Sequence, residues 1–251
     1  MDFELVVHLA GGNVFKRYVT YMAEGIQMIQ NEELKPSPSQ VAKDVLDNVI
    51  EYCDNYYEGS GTSFDCIADH NPDRFYEIID FPLLKPDLSK EELEAIGNPE
   101  TFWGEVKKEY EKAWKEWWAE EIAYHLDRDL KVLYEKLVWN DLHLSDLSLI
   151  VKRLKAYEEL LNGFKDAIRR ALNERKPLTE LELRDWYKKM AEAVYGCKKY
   201  MYHRYYSDVT YFLNYYDMLD DNGKLEVLSK LLNNHIDGIL NEIKRTLLKY
   251  N

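Results

Sequence analysis

Cys66-Ile67-Ala68-Asp69-His70 packs a thiol, a carboxylate and an imidazole into five residues, the densest such mixture in the sequence. Cys66, Asp69 and His70 are donor types that a transition metal accepts, provided a fourth ligand comes from elsewhere. With Asp73 they would also supply the site of a helical metal-dependent hydrolase within residues 58–88. No further ligand pair stands at zinc-site spacing and no CxxC occurs, which excludes a zinc ribbon. The plainer expectation is Cys66 as a small core residue and His70 as a turn residue ahead of Asn71-Pro72.

Other residues offer binding chemistry rather than catalysis. On an ideal helix Arg184, Lys188, Tyr195, Lys199, Tyr202 and Tyr206 fall within about 60° of one another, opposite the apolar stripe. Cations interleaved with tyrosines suit single-stranded nucleic acid, the cations meeting phosphates and the rings stacking on bases. Residues 184–206 hold six Lys+Arg against two Asp+Glu, a positive island in an acidic protein. The competing expectation is that this face packs on a neighbouring helix or a protein partner, since Asp185 and Glu192 dilute its charge. Glu121, His125 and Asp129 stand one turn apart, but no Glu-x-x-His accompanies them, so a di-metal site is set aside and a solvated face expected. His8-Leu9-Ala10-Gly11-Gly12-Asn13 lacks the spacing of a phosphate-binding loop and reads as a tight turn. No acid–base pair, activated nucleophile or cofactor fingerprint assembles from neighbouring residues, so no catalytic residue and no cofactor is expected.

The elements that position these residues are read from caps and periodicity. Residues 3–9 suit a short strand, and Asn13 caps an amphipathic run through Phe15, Tyr18, Met22, Ile26 and Ile29. Ser37-Pro38-Ser39-Gln40 opens a helix with apolar Val41, Val45, Val49 and Cys53. Residues 58–88, rich in Gly, Pro and aromatics, predict ordered irregular structure, followed by a short helix capped by Ser89 and Glu92. Asn98-Pro99 starts a long helix whose apolar stripe runs Phe102, Val106, Tyr110, Trp114, Trp117. Its apolar face then shifts to Leu126, Leu130, Leu133 and Leu137, requiring a kink or a change of packing partner near 119–125. A second long helix spans about 145–174. Thr179 with Glu182 opens a run of helical spacing to Leu219, ended by Asp220-Asp221-Asn222-Gly223, and a last helix follows. The fold class expected is mainly α: an antiparallel bundle of long helices over 99–251, with an acidic, mostly helical, partly irregular portion over 1–98.

Charge is distributed as unevenly as the elements. Of 251 residues, the first 100 hold 7 Lys+Arg against 20 Asp+Glu, a net of −13, whereas 101–251 hold 26 of each. Such a field attracts basic partners and repels phosphate at a distance. No apolar run approaches the roughly 20 residues of a membrane span. The acidic start, Met1-Asp2-Phe3-Glu4, is unlike a secretory leader, and the scattered Cys53, Cys66 and Cys197 argue against a disulfide framework. A cytoplasmic location follows from both. Three Gln beside abundant Lys and Glu lean towards a heat-adapted source, with the many Asn pulling the other way. The function expected is a non-enzymatic helical binding protein, a subunit or regulator of a larger assembly, nucleoprotein assemblies included. It would meet a basic protein partner through its acidic surface. The alternatives are single-stranded nucleic-acid binding through the 184–206 helix and the metal-dependent hydrolase above.

Overall fold

A computed structural model of the chain describes residues 35–56, 63–139, 146–196, 211–234 and 236–250. The described residues are 86% helical and contain no strand, which makes this a mainly α helical bundle. The strand expected over 3–9 and the helix after Asn13 lie outside the described residues. No helix among them is long and apolar enough to cross a membrane.

The chain divides into two compact units, Met1–Trp114 and Lys115–Asn251. In the first, α1 (Pro38–Tyr56) begins where the Ser37 carbonyl accepts the Val41 N–H at 3.0 Å. It buries Val41, Ala42, Val45, Leu46, Val49 and Cys53 on one face. The segment expected to be irregular is instead built of short helices: α2 (Ser63–Asp69), a 3-10 turn (Pro72–Arg74) and α3 (Phe75–Asp80). Asn71 explains the break between them, because its side chain accepts the Asp73 N–H at 3.0 Å and starts a new helical turn at Pro72. The Ser89–Glu92 capping box opens α4 (Lys90–Ala95) with both reciprocal bonds present.

Asn98 then caps α5 (Pro99–Val138), accepting the Thr101 N–H at 3.2 Å. The opening of α5, with buried Phe102, Val106, Tyr110 and Trp114, belongs to the first unit. The helix is continuous, and its apolar stripe shifts through a change of neighbours. Trp118, not Trp117, carries the stripe into the second unit, where it stacks on Tyr215 at 4.6 Å. Between Ile122 and Leu130 buried side chains occupy nearly every side of the helix.

In the second unit α6 (Leu147–Glu174) is the central helix, packed against α7 (Glu180–Tyr195), α9 (Asp221–Asn234) and α10 (Ile236–Tyr250). Residues 211–218 form α8. The Thr179–Glu182 capping box opens α7 as its spacing predicts. The long run to Leu219 is not one helix, however. Gly196 takes φ 63 and stops α7, with its N–H donating to the Glu192 carbonyl at 2.8 Å. Likewise Asp220 caps a helix that continues through Gly223, rather than ending the preceding one, as its carboxylate accepts the Gly223 N–H at 2.9 Å.

Candidate interaction surface

The strongest surface feature is on α1. Opposite its buried valines stand Asp44, Asp47, Glu51 and Asp54, spaced three, four and three residues apart and therefore on one side of the helix. Asp47, Glu51 and Asp54 are exposed and have no cation partner among the described residues; Asp44 accepts a bond from the Gln40 amide at 2.8 Å. Exposed Lys43 stands on the same side one turn before Asp47, so this face is predominantly rather than wholly acidic, its carboxylates held at fixed spacing by a helix whose other side is core.

The turn after α3 lies against the same helix. Asn48 of α1 donates its amide to the carbonyls of Leu84 and Lys85, and the Tyr52 ring meets Phe81 edge to face at 5.6 Å. Leu84 is anchored in the core, whereas Phe81 and Leu83 are 40% and 57% exposed. Apolar side chains are thus presented to solvent beside the acidic strip. Tyr76 is exposed as well, with the Lys107 ammonium 5.7 Å from its ring centre. Between Tyr52, His70, Arg74, Glu77, Ile78, Phe81 and Leu84 lies a pocket of about 210 Å³.

Beneath this surface Cys53 and Cys66 are joined by a disulfide, which corrects the expectation that the cysteines stay unpaired. The bond forms because α1 and α2 fold back on each other and turn both cysteines inward; each is 2% exposed. His70, at the end of α2, completes a group with them: one donor atom from each of Cys53, Cys66 and His70 lies within 4.8 Å of the others. The sequence placed Asp69 in this group. The structure puts it on the outside, and Cys53 takes the place beside Cys66 and His70. His70 Nδ1 donates to the Cys66 carbonyl at 2.8 Å. Its own carbonyl accepts the Tyr110 hydroxyl at 2.7 Å, and the Ile67 carbonyl accepts the Trp114 indole N–H at 3.4 Å. Asp73, the fourth member of the hydrolase set, is exposed in the middle of the 3-10 turn.

The Tyr/Lys face is only partly described. Arg184 is paired with Glu180 and donates to the Asn214 side chain at 2.9 Å. Tyr195 is buried, 4% exposed, so its ring packs inside the unit and cannot serve as a stacking platform. Lys188 is exposed. Lys199, Tyr202 and Tyr206 lie outside the described residues.

Glu121, His125 and Asp129 do not form a solvated face. His125 and Asp129 are buried, as is Asp127, because the bundle surrounds α5 at this level. The His125 ring stacks on Phe212 at 3.7 Å, and its Nε2 stands 3.7 Å from a Glu121 carboxylate oxygen. Burial, aided by the nearby Arg128 charge, pushes its pKa down to about 4, so it is neutral at pH 7. Tyr157 and Tyr187 donate their hydroxyls to the Leu130 and Leu126 carbonyls of α5, at 2.6 and 2.9 Å. Burial raises both phenols well above their ordinary value; the Asp127 charge adds to the effect at Tyr157, and Asp129 with Asp127 at Tyr187.

A second cavity, of about 340 Å³, opens at the α6–α7 corner beside Trp186. Arg170, Lys176 and Lys189 line it together with Glu174, Glu182 and Asp185, so the mixed charges give it no preference for either sign.

Searches against protein-family models, curated proteins and solved structures found no match for this chain.

Proposed function

We propose that this chain is a non-enzymatic helical binding protein, a subunit or regulator of a larger assembly, which docks a basic protein segment on its first unit. The observation that carries this reading is the α1 strip, Asp47, Glu51 and Asp54, with the exposed Phe81 and Leu83 beside it. Unneutralised carboxylates steer a basic partner and set its register, and adjacent apolar side chains supply the desolvated anchor. A Lys/Arg-rich amphipathic helix matches both: its cations meet the strip while its apolar residues cover Phe81 and Leu83.

Single-stranded nucleic acid is the weaker alternative. Of the residues that suggested it, Tyr195 is buried and Arg184 is already paired. The hydrolase alternative loses support from the exposure of Asp69 and the bonding of Cys66. As to location, a buried disulfide suits an oxidising compartment or the interior of a heat-adapted cell. The Lys- and Glu-rich, Gln-poor composition favours the second, and we place the protein in the cytoplasm of such a cell.

The test is fluorescence anisotropy of a labelled Lys/Arg-rich amphipathic peptide, with labelled single-stranded RNA in parallel, over a salt series. Peptide binding that weakens with salt and falls at least tenfold in Asp47→Lys/Glu51→Lys/Asp54→Lys supports the proposal. RNA binding with no peptide binding replaces it with the nucleic-acid alternative.

A further inference from the structure

The Cys53–Cys66 bond joins two elements that also form the walls of the 210 Å³ pocket. Tyr52 precedes Cys53 in the last turns of α1, and His70 follows Cys66 by one turn at the end of α2. Their rings meet edge to face with centres 6.0 Å apart. The separation of α1 and α2 at the disulfide therefore sets the spacing of these two rings. His70 Nδ1 lies 4.0 Å from the Cys53 sulfur and 3.9 Å from that of Cys66. Because Nδ1 donates to the Cys66 carbonyl, it carries its proton, and the ring's lone pair is on Nε2. The same N–H is placed to stabilise a thiolate on either sulfur. With the two sulfurs bonded to each other neither is a thiolate ligand, and the pair is arranged as a disulfide couple.

We infer that Cys53 and Cys66 are a reversible oxidation site whose bond fixes the width of the Tyr52–His70 pocket. The co-reactant is a small-molecule thiol–disulfide couple of the glutathione type. One cysteine, as thiolate, attacks a sulfur of the small disulfide, and the departing thiolate takes up the proton that the cysteine lost. The second cysteine then attacks the mixed disulfide and displaces the remaining thiol. Two electrons pass from the pair to the couple, and two thiols leave for each disulfide consumed. Both sulfurs are buried, so exchange proceeds through opening of the α1–α2 corner, and the oxidised form is long-lived once made. Its loss reaches the start of α5, because Tyr110 and Trp114 hold the carbonyls of His70 and Ile67. None of this depends on what docks at the acidic strip.

The experiment uses the full chain with Cys197→Ser, so that only this pair can react. Oxidised protein should show no free thiol in denaturant, and protein treated with dithiothreitol should show two. Reduction should lower Tm on the order of 10 °C for a loop of this length. It should also shift the Tyr52 and His70 ring resonances, and oxidised glutathione should restore both. A Cys53→Ser/Cys66→Ser variant should reproduce the reduced values. The inference is overturned if Tm and both ring resonances are unchanged by reduction, or if oxidised glutathione fails to restore the bond. Uptake of one equivalent of Zn²⁺ by the reduced chain, with a thiolate charge-transfer band on Co²⁺ substitution, would replace it with a metal site.

Discussion

Tyr110 and His125 show how single buried side chains tie α5 to its surroundings. The Tyr110 hydroxyl reaches the His70 carbonyl at the end of α2, and burial raises its pKa. Tyr110→Phe keeps the ring and its packing on Phe75 but leaves that carbonyl without this donor. The expected loss is about 1–2 kcal/mol in urea unfolding, with the disulfide intact. His125 makes a pH-dependent contribution. Its folded pKa of about 4 lies below the ordinary value of 6.5, so the unfolded chain binds the extra proton between these limits. Stability from this group is complete above pH 6.5 and is lost as pH falls towards 4, by on the order of 1–3 kcal/mol. Denaturation at pH 7 and pH 5 should show a smaller pH-induced loss in His125→Leu than in the native chain. An equal loss in both would place the titration elsewhere. The burial of His125 has a sequence signal, since Ile122, Leu126 and Leu130 flank it on an apolar face, but the neighbouring carboxylates mask it. The Cys53–Cys66 pairing has none, because a separation of 13 residues does not reveal that both side chains face the same interior.

At the level of elements, local chemistry decided most boundaries. Ser89–Glu92, Asn98 and Thr179–Glu182 each cap the helix that their spacing predicts, because those bonds form within four residues and need no tertiary partner. The break at Gly196 is not legible in the sequence for the opposite reason. Apolar periodicity continues across it, while the stop depends on a left-handed backbone and on Arg153, which donates to the Val194 carbonyl. A β-carbon at Gly196 would lie 2.9 Å from an Arg153 guanidinium nitrogen. Gly196→Ala therefore combines backbone strain with displacement of Arg153, and should cost about 1–3 kcal/mol. Gly97 also has positive φ, 74°, but open space around it. Gly97→Ala should cost only about 1 kcal/mol, and thermal unfolding of the two variants side by side separates the effects. The short helices of 63–80 were hidden by Pro72 and Asn71, which read as loop residues although they start a helical turn here.

For the molecule as a whole, the charge segregation visible in the sequence becomes a surface with direction. The helical period alone places Asp44, Asp47, Glu51 and Asp54 on one side of α1, so this strip was legible. Its neighbours Phe81 and Leu83 were not, because only the Asn48 and Tyr52 contacts bring that turn against α1. Acidic strip and apolar edge act together, and Phe81→Ser with Leu83→Ser should weaken binding of a basic amphipathic peptide at least tenfold without altering its salt dependence. The most direct measurement is hydrogen exchange on the full chain with and without that peptide. Protection confined to α1 and residues 81–85 is the predicted result. Protection on α7 instead, with α1 unchanged, would rule out docking on α1.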